Sequence, residues 1–159
     1  MFGGDAFIVL KVLHLVGAAV LLGSGAAIAF FMWMANRGPD VAVIAGVARL
    51  VVLADWVFTA SAVVAQPVTG ILLALAAGYD LASGWILASV ALYLVAGACW
   101  LPVVRIQMRM RDLAVHAAET GAGLPAEYTR LARIWFALGW PAFAAVLAIF
   151  ALMVARPPL

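Results

Sequence analysis

Residues 52–77 read VLADWVFTASAVVAQPVTGILLALAA, and Asp55 is the only charged residue in this stretch. A helix rises about 1.5 Å per residue and the hydrocarbon core of a bilayer is about 30 Å thick, so this stretch is long enough to cross a membrane. Of the 159 residues in the chain, 69% are apolar and 10% are charged, whereas about a quarter are charged in a typical soluble domain. This composition excludes a soluble enzyme, a nucleic-acid-binding module and a disordered chain.

Four apolar segments are predicted to cross the membrane, at about residues 6–34, 52–77, 83–104 and 134–154. Clusters of residues that break helices, rich in glycine, proline and aspartate, separate several of them. We therefore predict an all-α fold, a four-transmembrane-helix bundle that forms a single integral membrane domain over residues 1–159. We expect the first helix to be retained rather than cleaved as a signal peptide, because no basic segment precedes it and Lys11 and His14 interrupt it.

Two further helical segments are predicted outside these spans. Residues 41–53 are apolar and are predicted to lie along the membrane interface before the second span. The third helix is predicted to continue beyond the bilayer, through Arg105, Arg109 and Arg111 to about Ala118, as an amphipathic cytoplasmic extension.

The basic residues are unevenly distributed between the two sides of the predicted bundle. Lys11 and Arg156 lie on one side, and all the others lie in the first and third loops. The positive-inside rule places these loops in the cytoplasm and both termini outside, an N-out/C-out topology. Tyr79 and Trp85 at the outer boundary, with tryptophans near the cytoplasmic one, match the aromatic belts of membrane proteins. The cytoplasmic basic residues are Arg37, Arg49, Arg105, Arg109, Arg111, Arg130 and Arg133.

His14 and Lys11 are ionisable residues inside the first predicted span. Such residues are costly in a membrane unless they are paired or hydrated, so they are candidates for function. His14 could ligate haem iron or another metal through a neutral imidazole nitrogen, and Lys11, three residues earlier on the same face, is placed to meet a haem propionate. Alternatively, His14 hydrogen-bonds to a neighbouring helix and Lys11 extends to the headgroups.

The second helix carries a stripe of polar residues on one face. Its members, at spacings of four, seven and three, are Asp55, Thr59, Gln66 and Thr69. The stripe could line a path for protons or quinone. Alternatively, it holds helices together through polar contacts, with Asp55 in a salt bridge to Arg49 or Arg105.

Tyr93 on the third helix lies at about the same predicted depth as His14 and Thr69. A pocket formed by His14, Gln66, Thr69 and Tyr93 is therefore geometrically possible. His116 lies in the cytoplasmic loop, so one chain cannot supply two histidine ligands to a haem inside the bundle.

Prolines and small residues indicate how the helices pack. Pro67 lies inside the second span and lacks an N–H, so it leaves the carbonyl of Val63 without its helical partner. Ala19, Gly23 and Ala27 form a line of small residues on the first helix, a pattern that lets two membrane helices approach closely.

A family resemblance rests on five stretches, residues 10–17 (LKVLHLVG), 55–59 (DWVFT), 66–70 (QPVTG), 100–107 (WLPVVRIQ) and 135–158. Together they resemble the bacterial membrane proteins catalogued as domain-of-unknown-function family 2269. The resemblance covers nearly the whole chain. It implies a small four-helix inner-membrane protein and no firm activity.

The pattern Lys11-x-x-His14-x-x-Gly17 is more distantly similar to HemJ-type protoporphyrinogen oxidases and CopD-type copper-resistance proteins. HemJ-type proteins are thought to bind haem b through a histidine of the first helix, and the resemblance implies that role for His14. The chain departs from them at residues 30–33 (FFMW), where they have a basic and histidine-rich ending.

Three functional hypotheses follow. The leading one is a haem b-binding redox protein that exchanges electrons with quinone, with His14 as axial ligand, Lys11 as propionate partner, and Gln66, Thr69 and Tyr93 in the pocket. The second is a transporter-like protein that handles copper or another metal through the same His14 pocket, together with the polar stripe from Asp55 to Gln66. The third is a non-catalytic accessory subunit of a membrane complex, or a homodimer. Whether the protein is an enzyme stays open.

Overall fold

The structure, a computed structural model, describes residues 4–158. This part of the chain is helical and contains no strand. Four helical stretches are long and apolar enough to cross a membrane, which confirms the predicted fold class. The elements are α1 (Gly4–Ala35), α2 (Val41–Ala54), a π-helical turn (Asp55–Thr59), α3 (Ala60–Ala76), α4 (Gly84–Thr120) and α5 (Ala126–Ala155).

Local sequence signals set the helix ends at two of the loops. Asp40 is the N-cap of α2, and its Oδ1 accepts hydrogen bonds from the N–H groups of Ala42 and Val43 at 2.8 and 3.2 Å. These bonds satisfy donors that the first turn of a helix leaves without a backbone acceptor. Gly121 follows α4 with φ of 68°, a left-handed conformation that glycine adopts without steric cost.

The second span is one uninterrupted helix that begins much earlier than predicted. α2 continues through the π-helical turn into α3, and at the junction the N–H of Ala60 bonds to the carbonyl of Asp55, five residues back. The prediction that residues 41–53 lie separately along the membrane interface is therefore wrong. The prediction fails because of packing: the apolar face of α2, including Ile44 and Ala48, is buried in the core of the protein.

The predicted helical extension of the third span is confirmed, since α4 continues to Thr120. The buried residues in its second half, Gln107, Met110, Ala114 and Ala117, recur every three or four positions. This spacing places them on one face. The arginines occupy the other faces, so the extension is amphipathic as predicted.

Three polar contacts join the helices at the end of the bundle that carries most of the arginines, called here the arginine-rich end. Arg109 and Glu127 form a bidentate ion pair between α4 and α5, with N···O distances of 2.9 and 3.1 Å. Arg49 pairs with Glu119 at 3.5 Å, and Tyr128 donates to Asn36 at 2.7 Å. The two ion pairs are solvent-exposed, so each contributes little to stability.

Most of the buried apolar core also lies toward the arginine-rich end, where α1, α2, α4 and α5 meet around residues such as Met32, Ile44, Met110 and Trp135. Toward the opposite end, where α1 begins and α5 ends, α3 packs mainly on α1, and α5 packs on α4. The two helix pairs leave space between them. This space forms a cavity inside the bundle.

The line of small residues on α1 makes no close contact with another helix of residues 4–158. Ala19, Gly23 and Ala27 are all exposed, and a Cβ atom added at Gly23 would have no neighbour within 4 Å. The contact surface of α1 lies instead on the faces that meet α2, the π-helical turn and α3.

Candidate functional site

The π-helical turn presents Asp55 to the interior of the bundle. The side chain is only 4% exposed, and both carboxyl oxygens accept hydrogen bonds. Oδ1 accepts from Trp100 Nε1 at 3.2 Å, and Oδ2 accepts from Gln107 Nε2 at 2.7 Å. π-helical turns inside α-helices occur frequently at functional sites, so the buried carboxyl at this turn is the first candidate.

Gln107 is itself oriented by a further residue. Its Oε1 accepts a hydrogen bond from Trp135 Nε1 at 3.3 Å, and an indole nitrogen can only donate. The amide nitrogen of Gln107 must therefore face Asp55. The network thus runs from Trp135 on α5 through Gln107 on α4 to Asp55, and its last donor is the amide of Gln107.

The salt bridge predicted between Asp55 and Arg49 or Arg105 is wrong. Arg49 pairs with Glu119, and within residues 4–158 no basic side chain lies within ion-pair distance of Asp55. Arg49 and Arg105 are exposed, whereas the carboxyl group of Asp55 faces the interior. Asp55 thus has hydrogen-bond donors but no counter-charge among the described residues.

A cavity of about 400 Å³ adjoins Asp55, between α1, the π-helical turn, α3, α4 and α5. Its polar groups come from Asp55, Thr59, Tyr93 and the indoles of three tryptophans, and the rest of its wall is aliphatic, aromatic or glycine. The hydroxyl of Thr59 lies 3.1 Å from that of Ser24 on α1. The cavity therefore combines a large apolar wall with a few polar groups, as ligand-binding cavities usually do.

The cavity opens to the surface of the protein beside α5. Trp140 and Phe143 line it, yet they are 74% and 36% exposed. In a membrane-spanning helix, exposed apolar surface faces lipid. The mouth of the cavity is therefore accessible from the hydrocarbon region of the bilayer.

Tyr93 has a structural role on the cavity wall. Its hydroxyl donates a hydrogen bond to the carbonyl of Val63, which Pro67 leaves without a helical donor. The contact joins α3 to α4 across the space between the two helix pairs. It also explains how a proline is accommodated inside a membrane-spanning helix.

His14 lies at a second polar contact, between α1 and α3. Its Nδ1 is 3.0 Å from Thr69 Oγ1, and Thr69 Oγ1 donates its hydrogen to the carbonyl of Ala65 at 2.7 Å. Because a hydroxyl has one hydrogen, Nδ1 of His14 donates to Thr69 when that hydrogen lies on the carbonyl of Ala65. A neutral His14 then carries its lone pair on Nε2, the arrangement typical of metal-binding histidines.

Two glycines allow this close contact of α1 with α3. A Cβ atom at Gly70 would lie 3.1 Å from Cε1 of His14. A Cβ atom at Gly17 would overlap the amide of Gln66, which donates to the carbonyl of His14 at 3.0 Å. Each helix thus uses a glycine to seat a polar side chain of the other.

The structure brings together three of the five predicted site residues. His14, Gln66 and Thr69 are in contact, whereas Tyr93 contacts the carbonyl of Val63 and faces the cavity. Lys11 is exposed on α1. His14 does not line the cavity, so the predicted four-residue pocket is divided between two places.

The cavity does not fit a haem group. Its lining contains no histidine, methionine or cysteine, which are the usual ligands of haem iron, and the hydroxyl of Tyr93 is used by Val63. Within residues 4–158 no three His, Cys, Asp or Glu residues cluster as a metal site would require. His116 lies in the extension of α4. A haem on His14 would have to lie outside the cavity.

Sequence reasoning missed Gln107 and Trp135 as partners of Asp55. Gln107 follows Trp100 by seven residues, which places the two on one helix face. An uncharged polar residue among arginines, on the face shared with a tryptophan, was the available signal. The pairing itself depends on how α4 and α5 are rotated against the π-helical turn, which the sequence does not show.

These features define a multi-pass integral membrane protein with a lipid-accessible cavity. The chain belongs to the family of predicted integral membrane proteins called DUF2269, whose model matches residues 8–157, and this confirms the family resemblance seen in the sequence. No curated protein and no solved structure matches the chain. The distant likeness to HemJ-type and CopD-type proteins therefore stays a prediction.

Proposed function

We propose that the protein binds a lipid-soluble small molecule in the cavity beside Asp55. The observation that carries the proposal is the cavity itself, about 400 Å³ in volume, largely apolar, with its polar groups on a few residues. Pockets for small molecules in proteins are typically about 300–1,000 Å³ and have this composition. The burial of Asp55 next to the cavity supports the same conclusion, because intramembrane carboxyl groups are retained mainly for function.

The position of the mouth supports a ligand that arrives through the bilayer. Trp140 and Phe143 are exposed where the cavity opens, so a molecule dissolved in the lipid can enter without crossing water. Quinone, the partner predicted from the sequence, has the required apolar tail and a polar head, and it is the first neutral molecule to test.

Decylubiquinone is a suitable neutral probe, because three tryptophans line the cavity and quinones quench indole fluorescence. The protein in phosphatidylcholine nanodiscs is titrated with the probe, and empty nanodiscs correct for partitioning. Gly97 lines the cavity and has no neighbour at its Cβ position, so Gly97→Leu fills part of the cavity. We expect the variant to bind at least about tenfold more weakly, since one methylene in an apolar pocket already changes affinity by about 10- to 200-fold.

Gly46→Leu is the matched control. Like Gly97, Gly46 is helical and free at its Cβ position, but it is exposed and does not line the cavity. Its affinity for the probe should equal that of the unmodified protein. If both variants weakened the binding of the probe equally, or if neither weakened it, binding in the cavity would be contradicted.

A second candidate is ligation of haem b or a metal ion by His14, with Lys11 as the anion partner predicted from the sequence. The hydrogen bond from Nδ1 to Thr69 supports it, because it leaves Nε2 available. Purified protein from haem-replete cells should then show a Soret band and dithionite-reduced α and β bands, lost in His14→Ala and kept in His116→Ala. A colourless protein that also takes up no copper in proteoliposomes would exclude both haem and metal roles for His14.

A third candidate is a non-catalytic accessory subunit, or a homodimer, in a bacterial inner membrane. The exposed line of small residues on α1 supports a helix partner from another chain. Co-purification of a stoichiometric partner in mild detergent tests this role. The N-out/C-out topology is tested separately with a reporter that is active only outside the cytoplasm. Fused to the C-terminus, this reporter should be active.

A further inference from the structure

The hydrogen bonds around Asp55 suit a carboxylate anion. Oδ1 and Oδ2 accept from Trp100 and Gln107, and Trp135 fixes the amide of Gln107 in the donating orientation. A carboxylate can only accept hydrogen bonds. Hydrogen bonds to an ionised group are also stronger than those between neutral groups. The network therefore provides aligned donors for a negative charge at the edge of the cavity.

This carboxylate lacks a counter-ion among the described residues, since all three ion pairs of residues 4–158 lie elsewhere. Burying a charge is costly unless it is paired. Asp55 lines the cavity, so a cation inside the cavity would supply the missing partner.

The wall of the cavity is suited to the same kind of ligand. Six aromatic residues line it, namely Tyr93, Trp100, Trp135, Phe136, Trp140 and Phe143. Aromatic faces attract cations through their quadrupoles, tryptophan most strongly, and cages of aromatic rings recognise quaternary ammonium groups. The remaining lining, of small and aliphatic residues, leaves room for apolar substituents on the cation.

Resting on the proposed function, we propose that the ligand of the cavity is a lipophilic organic cation, an ammonium-type ion with apolar or aromatic substituents. Asp55 is its counter-ion, and the aromatic wall surrounds its charge. This proposal distinguishes a cationic ligand from a neutral quinone. The oxygens of a quinone only accept hydrogen bonds, as those of a carboxylate do, so the charge of Asp55 does not favour quinone binding.

Tetraphenylphosphonium and tetraphenylborate test the proposal, because they have nearly the same shape and opposite charge. Binding of each ion to the protein in phosphatidylcholine nanodiscs is measured by isothermal titration calorimetry, with empty nanodiscs as the reference. We expect tetraphenylphosphonium to bind at least about tenfold more tightly than tetraphenylborate, which corresponds to about 1.4 kcal/mol. Asp55→Asn, which keeps the size of the side chain and removes its charge, should abolish this preference.

The outcome does not depend on the variant folding, because the charge preference is measured on the unmodified protein. Gly46→Leu, at a position that does not line the cavity, is the second variant, and it should retain the preference for the cation. Equal binding of the two ions, or tighter binding of the anion, would overturn the proposal. Decylubiquinone then distinguishes failure of this proposal from failure of the proposed function. If Gly97→Leu weakens its binding and Gly46→Leu does not, the cavity binds ligands but does not select them by charge.

Discussion

Gln107→Leu should destabilise the protein by breaking the network around Asp55. Leucine has nearly the volume of glutamine, so the change leaves no large cavity. It does remove the acceptor of the Trp135 N–H and the donor to Asp55 Oδ2. Trp135 and Asp55 are 5% and 4% exposed, so water has little access to replace the lost bonds.

The expected size of the effect follows from these two orphaned groups. A buried polar group that loses its partner costs about 1–3 kcal/mol, so the variant should lose about 2–6 kcal/mol in the free energy of unfolding. In a Trp135→Phe background the N–H is already absent. There the same change at Gln107 should cost about 1–3 kcal/mol less, because only Asp55 loses a partner.

The free energy of unfolding is measured by sodium dodecyl sulfate titration in mixed micelles, on the four proteins of this double-mutant cycle. Met108→Leu, at the adjacent half-buried position of α4, is the control, and a swap of this kind usually costs less than about 1.5 kcal/mol. If Gln107→Leu cost no more than this control, the network would contribute no stability. If the two changes in the cycle were additive within about 0.5 kcal/mol, Gln107 and Trp135 would not be coupled.

Two further predictions concern α1 and α3. Gly17→Ala should lower the thermal unfolding temperature in detergent, because its Cβ would displace the Gln66 amide, whereas Gly23→Ala, with open space around its Cβ, should leave the temperature unchanged or raise it slightly. Equal shifts in the two variants would contradict the close contact of α1 with α3. Tyr93→Phe should cost about 1 kcal/mol by leaving a backbone carbonyl without a donor, and Pro67→Ala, which restores the helical N–H, should remove that cost. A cost that persists in the double variant would show that the hydroxyl acts elsewhere.

The spans and the extension of α4 could be predicted because they depend on local properties. An apolar stretch long enough to cross the bilayer, ended by residues that break helices, defines a span without knowledge of its neighbours. The same reasoning failed for α2. An apolar helix that lies on a membrane surface and one that is buried against other helices have similar sequences, and only packing on α1 and α4 distinguishes them.

The candidate site was predicted in part, for a related reason. Counting residues from the membrane boundary gives depth, which placed Thr69 at the level of His14, and the structure has these two side chains in contact. Rotation of one helix against another is not contained in that count. The π-helical turn adds to the difficulty, because its wider winding changes which residues of the polar stripe share a face. Asp55 thus faces α4, whereas Gln66 and Thr69 face α1.

The length of α4 implies that the two halves of the protein are stabilised by different solvents. Its 37 residues extend about 55 Å, well beyond the hydrocarbon thickness of about 30 Å. The buried core around Met110 therefore extends into the aqueous side, where expulsion of water drives association. The half around His14 lies in lipid, where that force is absent and helices depend on hydrogen bonds and close packing. Urea should accordingly loosen the arginine-rich end while the spans stay helical in the bilayer.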